Sequence, residues 1–270
     1  MGSHPERVPP EFVEALAASV ERPTPVHLLI DTGMHRVGVA PDRAVALAEQ
    51  IVGTGNLRLA GVWSHFAVAE ADEDFSRLQR EVLSEAVAAI EAAGIDPGIV
   101  HLPNTAGSLY IRPDSAMARV GLGLYGLHPD PSRPVADLRP AMRVVSRVSF
   151  TQRLPAGARP SYGRRRPLGV ESNVATVPIG YADGVPRLLS QRGGEVLIGG
   201  RRRPFAGTVT MDQIVIDCGD DEVAVGDEVV LIGRQGDEQI SADEWAERTD
   251  TISWEIVCGI GDRLPRAYRR

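Results

Sequence analysis

VHLLIDTGMHRVGVAPDRAVALAEQIVG, residues 26–53, sets the fold. The strand candidate VHLLI (26–30), four of its five residues apolar, runs into a glycine-bearing polar loop, and Pro41 then stands at the start of a stretch with helical apolar spacing. Strand, loop and amphipathic helix in that order make one βα unit of a parallel sheet. The same reading extends outward. PEFVEALAASVER (10–22) precedes it as a helix, LAGVWSH (59–65) follows as a strand, and DFSRLQREVLSEAVAAIEAAG (74–94) is a strongly periodic helix stopped by Gly94. IVHLPN (99–104) and MARVGLGLYGL (117–127) complete four expected βα units, a partial barrel of the (β/α) type.

Between Leu127 and Pro140 lie four prolines, which neither a helix interior nor a central strand accepts. A linker is expected there, dividing the chain into a barrel-like domain over 1–130 and a second domain over 131–270. Beyond it the pattern changes to short strands and tight turns: MRVVSRVSF (142–150), NVATVPIG (173–180), EVLIGG (195–200), VTMDQIVIDCG (209–219) and DEVVLIG (227–233), with one helix around SADEWAER (241–248). The second domain is expected to be mainly β. The arginine triplets at 164–166 and 201–203 read as solvated turns.

The 270 residues carry 29 basic and 36 acidic side chains, a net charge of −7, which is the wrong sign for a nucleic-acid binder and directs attention to a small-molecule partner. No apolar run reaches the length needed to cross a bilayer and no secretory leader is read at the start, so a cytoplasmic location is expected. Two cysteines, Cys218 and Cys258, give neither a disulfide framework nor a cysteine zinc site, and no metal is expected. All 29 basic residues are arginine. Without a lysine, none of these side chains can form a Schiff base with a carbonyl compound.

In parallel βα architecture the loops leaving the carboxyl ends of the strands carry the chemistry. Asp31, Thr32 and Arg36, then His65, then Asn104 and Thr105, then Arg119 occupy those positions. Taken with DTGMHRVGV (31–39), WSHFAVAEADE (63–73), HLPNTAGS (101–108), ARVGLGLYGL (118–127), VPIGYADGV (177–185), TMDQ (210–213) and ISWEIVCGIGDRLPR (252–266), in that order, the chain resembles the alanine racemases.

That resemblance implies a barrel followed by a β domain, a homodimer, and racemisation of an amino acid on pyridoxal 5′-phosphate, which supplies D-alanine for the cell wall. It implies that Arg119 donates to the pyridine nitrogen, that Arg36 lies near the phenolic oxygen and the substrate, and that Tyr181 is the base on one face of the α-carbon, with His65 and Arg119 as cationic neighbours. Met211 would help hold the substrate carboxylate. Asn104, Thr105, Gly121, Leu122 and Trp254 would hold the cofactor, Trp254 standing where a phosphate-binding tyrosine is usual. Leu29 replaces a lysine that steadies the Arg36 equivalent in many members, and Thr208 replaces an arginine before TMDQ.

The family's cofactor lysine lies in an amino-terminal barrel strand that has no counterpart here, so the chain is expected to lack the opening half of the barrel and to be inactive alone. Two other functions remain open at this point: a non-catalytic or complementing subunit supplying Tyr181 and Met211 to a partner, and cofactor-free racemisation by Cys218 and Cys258 as opposed bases.

Overall fold

A computed structural model describes residues 10–112 and 114–268. The chain divides between Leu138 and Arg139 into two compact units.

The first unit is built from α1 (Pro10–Ser19), β1 (Thr24–Leu29), α2 (Ala44–Gly53), β2 (Leu57–Trp63), α3 (Glu73–Ala92) and β3 (Ile99–His101). The three strands form one parallel sheet in the order β1-β2-β3. Helix α3 packs one face inward because its buried positions recur at helical spacing: Ser76, Gln79, Leu83, Ala86 and Ile90, three and four apart. Asp72 caps its start, accepting from the Phe75 amide at 2.9 Å. A single core cluster joins Leu28 and Ile30 of the first strand segment, Leu59 and Val62 of β2, Ala48 and Ile51 of α2, and Leu83, Ala86 and Ile90 of α3.

The fourth expected strand does not form. Around Arg119 the chain makes one backbone bond to its neighbour, Arg119 N–H to Pro103 O at 2.9 Å, and then turns. Gly121 stands at φ −106°, ψ −82°, outside the β region, and begins a 3₁₀ turn over Leu122–Tyr125. Short glycine spacing there gives the backbone a route that a ladder forbids.

The second unit carries β4 (Val144–Arg147), β5 (Phe150–Leu154), β6 (Ser172–Val177), β7 (Glu195–Ile198), β8 (Arg201–Pro204), β9 (Ile214–Gly219), β10 (Glu228–Gln235) and β11 (Glu238–Ile240), followed by α4 (Ala242–Thr249) and α5 (Ser253–Gly259). The strands make two sheets: a five-stranded one in which β10 pairs with β4, β7 and β11, and a three-stranded one in the order β5-β6-β9. VTMDQ is not strand, because Thr210 and Gln213 close a turn on each other: Thr210 N–H donates to Gln213 O at 3.0 Å and Gln213 N–H to Thr210 Oγ1 at 3.2 Å. The arginine triplet at 201–203 lies in β8 rather than in a turn, with Arg202 fixed by Glu195, Glu238 and Glu244.

Among the described residues no helix is long and apolar enough to cross a membrane.

Candidate functional site

In the first unit the strand ends converge as expected. Asp31 turns the loop after β1 by accepting the Gly33 and His35 amides on Oδ1, at 3.1 and 2.9 Å. Those two bonds and the nearby His35 ring outweigh burial and hold its carboxyl below the usual range. The next residues, including Arg36, are exposed. Gln79 of α3 is fully buried and ties the loops after β1 and β2 together: its Nε2 donates to Thr32 Oγ1 (3.1 Å) and His65 O (3.0 Å), and its Oε1 accepts from Ala67 N–H (3.0 Å). No sequence pattern marked Gln79, because a polar residue on a helix reads as solvent-facing unless its position on the apolar stripe is counted.

Arg119 is the hub. Its Nη2 donates to the carbonyls of Ser64 (2.7 Å) and Leu102 (3.2 Å) and lies 3.3 Å from His65 Nδ1, while Nη1 donates to His101 Nδ1. The guanidinium rides over Trp63, 4.3 Å from the ring centroid, and His101 stacks on the same indole at 5.6 Å with 9° between planes. Burial lowers the Arg119 pKa. His65 is held below the ordinary histidine range by burial first, then by the charges of Arg119 and Arg36. Asn104 reaches toward His65, with Nδ2 3.5 Å from Nε2, and its Oδ1 accepts the Gly107 amide at 2.8 Å.

Burial, then Arg119 and His27, pull the His101 pKa down to about 4. The folded state therefore binds a proton less readily than the unfolded chain, whose ordinary value is 6.5, so the stabilisation is full above pH 6.5 and is lost as pH falls toward 4. We expect the thermal midpoint of the first unit to drop between these pH values by an amount corresponding to about 2 kcal/mol. His101→Gln is expected to remove most of that slope. A wild-type midpoint flat across this window would contradict the assignment.

Beside this cluster, Thr105 Oγ1 accepts from the amides of Gly121 (3.1 Å) and Gly123 (3.4 Å). Gly121 is exposed, a Cβ added to it would meet nothing within 4 Å, and Leu122 behind it is buried. An open backbone turn beside a hydroxyl is a site that an anion can approach closely.

The remaining expected site residues belong to the second unit. Trp254 is half-buried on α5. Tyr181 and Met211 are held together by backbone bonds, Tyr181 N–H to Thr210 O (3.0 Å) and Ala182 N–H to Met211 O (2.9 Å), and both side chains are exposed.

A second tyrosine, which no sequence pattern marks, is bonded to the same segment as Tyr181. Tyr162 is 73% exposed. Its carbonyl accepts from Thr208 Oγ1 at 2.8 Å, and the neighbouring Ser161 Oγ donates to Thr208 O at 2.6 Å. Ser161 at φ 67°, ψ −178°, Gly163 at φ 73° and Arg164 at φ 47° all lie at positive φ. Backbone strain of this kind persists only where surrounding bonds over-determine it, and it gathers at functional sites. The Tyr162 and Tyr181 loops are thus both bonded to the segment 207–213 that carries Met211.

Cys218 is buried in β9 while Cys258 is exposed on α5. Burial pushes the Cys218 thiol up to about 11, away from the thiolate that a proton-abstracting cysteine requires.

Comparison with known proteins gives the same answer for each half. Residues 9–129 match the family model described as alanine racemase, N-terminal domain, and residues 141–268 match alanine racemase, C-terminal domain. The alanine racemase of Symbiobacterium thermophilum is 46% identical over 249 residues, covering 90% of this chain and 65% of that protein. The alanine racemase of Thermobifida fusca is 40% identical, covering 96% of this chain and 70% of that one. The crystal structure of alanine racemase from D-cycloserine-producing Streptomyces lavendulae superposes with a TM-score of 0.89 at 36% identity, over 96% of this chain and 70% of that structure. The chain spans about two thirds of the length of these relatives.

Proposed function

The chain belongs to the alanine racemase family, and on that premise we propose that it carries two parts of a site interconverting the L and D forms of alanine with pyridoxal 5′-phosphate. The observation that carries this reading is the Arg119 hub. A guanidinium fixed by two carbonyls and a histidine at the carboxyl ends of parallel strands can only donate.

The residues present fit the ring and the phosphate of that cofactor. Arg119 would face the pyridine nitrogen, while Thr105 and the backbone of Gly121 and Leu122 would hold the phosphate, Gly121 being open to approach. When bound, pyridoxal phosphate supplies an electron-accepting ring that eases removal of the α-proton of an amino acid. Because Arg119 stays protonated, the ring nitrogen receives a hydrogen bond without a proton, which limits electron withdrawal and favours return of the proton to the α-carbon.

A phenol of the second unit moves that proton at one face. We assign the role to Tyr162 in place of Tyr181, because the strained loop is fixed to Thr208 on both sides, Thr208 Oγ1 donating to Tyr162 O and Ser161 Oγ donating to Thr208 O. Its Oη would take the α-proton of one enantiomer and, in the reverse direction, give a proton back on that same face, the group on the opposite face handling the proton of the other enantiomer. Exposure of Tyr162, Tyr181 and Met211 supports their presentation to the barrel unit of a second copy. The opposite face needs an amine, and the 270 residues contain no lysine, so that group comes from residues outside these.

The test is complementation. The chain alone is expected to give no borohydride-reducible adduct with pyridoxal phosphate, and mixing it with a lysine-bearing amino-terminal half-barrel of the family is expected to produce interconversion of L- and D-alanine. A mixture that associates yet stays inactive would sink the catalytic reading and favour a non-catalytic subunit.

A further inference from the structure

We propose that His27 is a positioning residue for Arg119, acting through His101: the two imidazoles form a directional relay that keeps a hydrogen-bond acceptor facing the guanidinium.

The direction follows from one end of the chain of contacts. Arginine has no acceptor atom, so His101 Nδ1, which Arg119 Nη1 addresses, must be the unprotonated nitrogen. Neutral His101 then carries its proton on Nε2. That nitrogen lies 2.8 Å from His27 Nδ1 and donates to it. His27 Nδ1 is therefore an acceptor and its own proton sits on Nε2. Removal of the His27 acceptor leaves the Nε2–H of His101, a residue only 3% exposed, without this partner. The other tautomer would aim an N–H at Arg119. Either outcome weakens the bond at Nη1 and leaves the guanidinium held by fewer partners, chiefly the Nη2 bonds to Ser64 O and Leu102 O.

The fold makes room for this contact specifically. The β1–β2 register slips between Val26 and His27, so that Val26 pairs with Leu59 and His27 with Gly61. A Cβ at Gly61 would lie 2.6 Å from the His27 ring and equally close to Ile99 O. The bulge and the glycine together let the His27 ring lie toward β3, with ring centroids of His27 and His101 5.0 Å apart. Trp63 supports both later members, stacking on His101 and carrying Arg119 on its face. His65, which feels the charge of Arg36, has Nδ1 3.3 Å from Arg119 Nη2, so each terminal nitrogen has a histidine beside it and the relay fixes the one at Nη1.

The consequence for the reaction rests on Arg119 meeting the cofactor's ring nitrogen, but the relay itself does not. In the full chain, long-range ¹⁵N–¹H spectra are expected to show His101 protonated on Nε2. His27→Phe is expected to abolish that single tautomer and to speed exchange of the Arg119 side-chain protons at least ten-fold. His27→Asn, which keeps an acceptor near the place of Nδ1, is expected to restore both. Pyridoxine 5′-phosphate, which has the ring nitrogen and phosphate without an aldehyde, serves as the binding probe: His27→Phe is expected to weaken it about ten-fold and His27→Asn to recover it. An unchanged His101 tautomer and Arg119 exchange rate in folded His27→Phe would overturn the relay. A wild-type chain that shows the tautomer but does not bind the probe would instead remove the cofactor reading of Arg119 and leave the relay standing.

Discussion

Tyr162→Phe, assayed in the complemented enzyme, is expected to lower racemisation by about 10²–10⁴-fold, the range for loss of a positioned acid–base group, with Tyr181→Phe changing it less than ten-fold. The substitution removes one hydroxyl from a side chain that is 73% exposed, so the fold has no reason to respond. What singles out Tyr162 is the expense of presenting it. Ser161 occupies a region of backbone space essentially reserved for glycine, and Arg164 sits in the left-handed region, each costing on the order of 1–3 kcal/mol. Three bonds offset that cost: Ser161 Oγ to Thr208 O, Thr208 Oγ1 to Tyr162 O, and Arg159 Nη1 to Arg164 O at 3.0 Å. Tyr181 begins a short 3₁₀ turn capped by an ordinary bond from Gly180 N–H to Asp183 Oδ2 at 2.9 Å and shows no such strain. Full activity in Tyr162→Phe together with an inactive Tyr181→Phe would return the role to Tyr181.

The reason one tyrosine was legible and the other was not is local. Alternation and 3.6-residue spacing report burial, so β1, β2 and α3 could be read directly from VHLLI, LAGVWSH and the long periodic helix. The convergence of His65, Asn104 and Arg119 followed from the strand-end rule once the strands were placed. Positive φ at Ser161 and Arg164, by contrast, is imposed by tertiary bonds to Thr208 and Arg159, and only Gly163 between them signals it in the sequence; flanked by arginines, PSYGRRR reads as a solvated turn. His27 was hidden for a related reason. A register slip put it opposite Gly61, and bulges leave little trace in a six-residue strand. The missing fourth strand failed in the other direction: MARVGLGLYGL has the apolar content of a strand, but its glycines let the chain turn at Gly121 and expose the backbone that the sequence reading had already assigned to phosphate.

Gly180→Ala is expected to destabilise the second unit by roughly 3 kcal/mol or more, the cost of overpacking against immovable atoms, and to lower its thermal midpoint by about 10 °C. A Cβ at Gly180 would lie 2.3 Å from Thr210 O and 2.5 Å from Asp212 N, both backbone atoms, so no side chain can swing aside to relieve it. The segment that would have to move is the one carrying Met211, and its displacement would break the bonds from Tyr181 N–H and Ala182 N–H to Thr210 O and Met211 O. The same segment is pressed from its other end, where a Cβ at Gly207 would lie 2.3 Å from Pro160 O. Gly207→Ala is accordingly the paired measurement: it should shift the Tyr162 loop while leaving the Tyr181 bonds in place, so in the complemented enzyme it should cost more activity per degree of lost stability than Gly180→Ala. Should Gly180→Ala melt within 2 °C of wild type, segment 207–213 is free to yield, and a platform that yields cannot be what holds a phenol in register with an α-carbon.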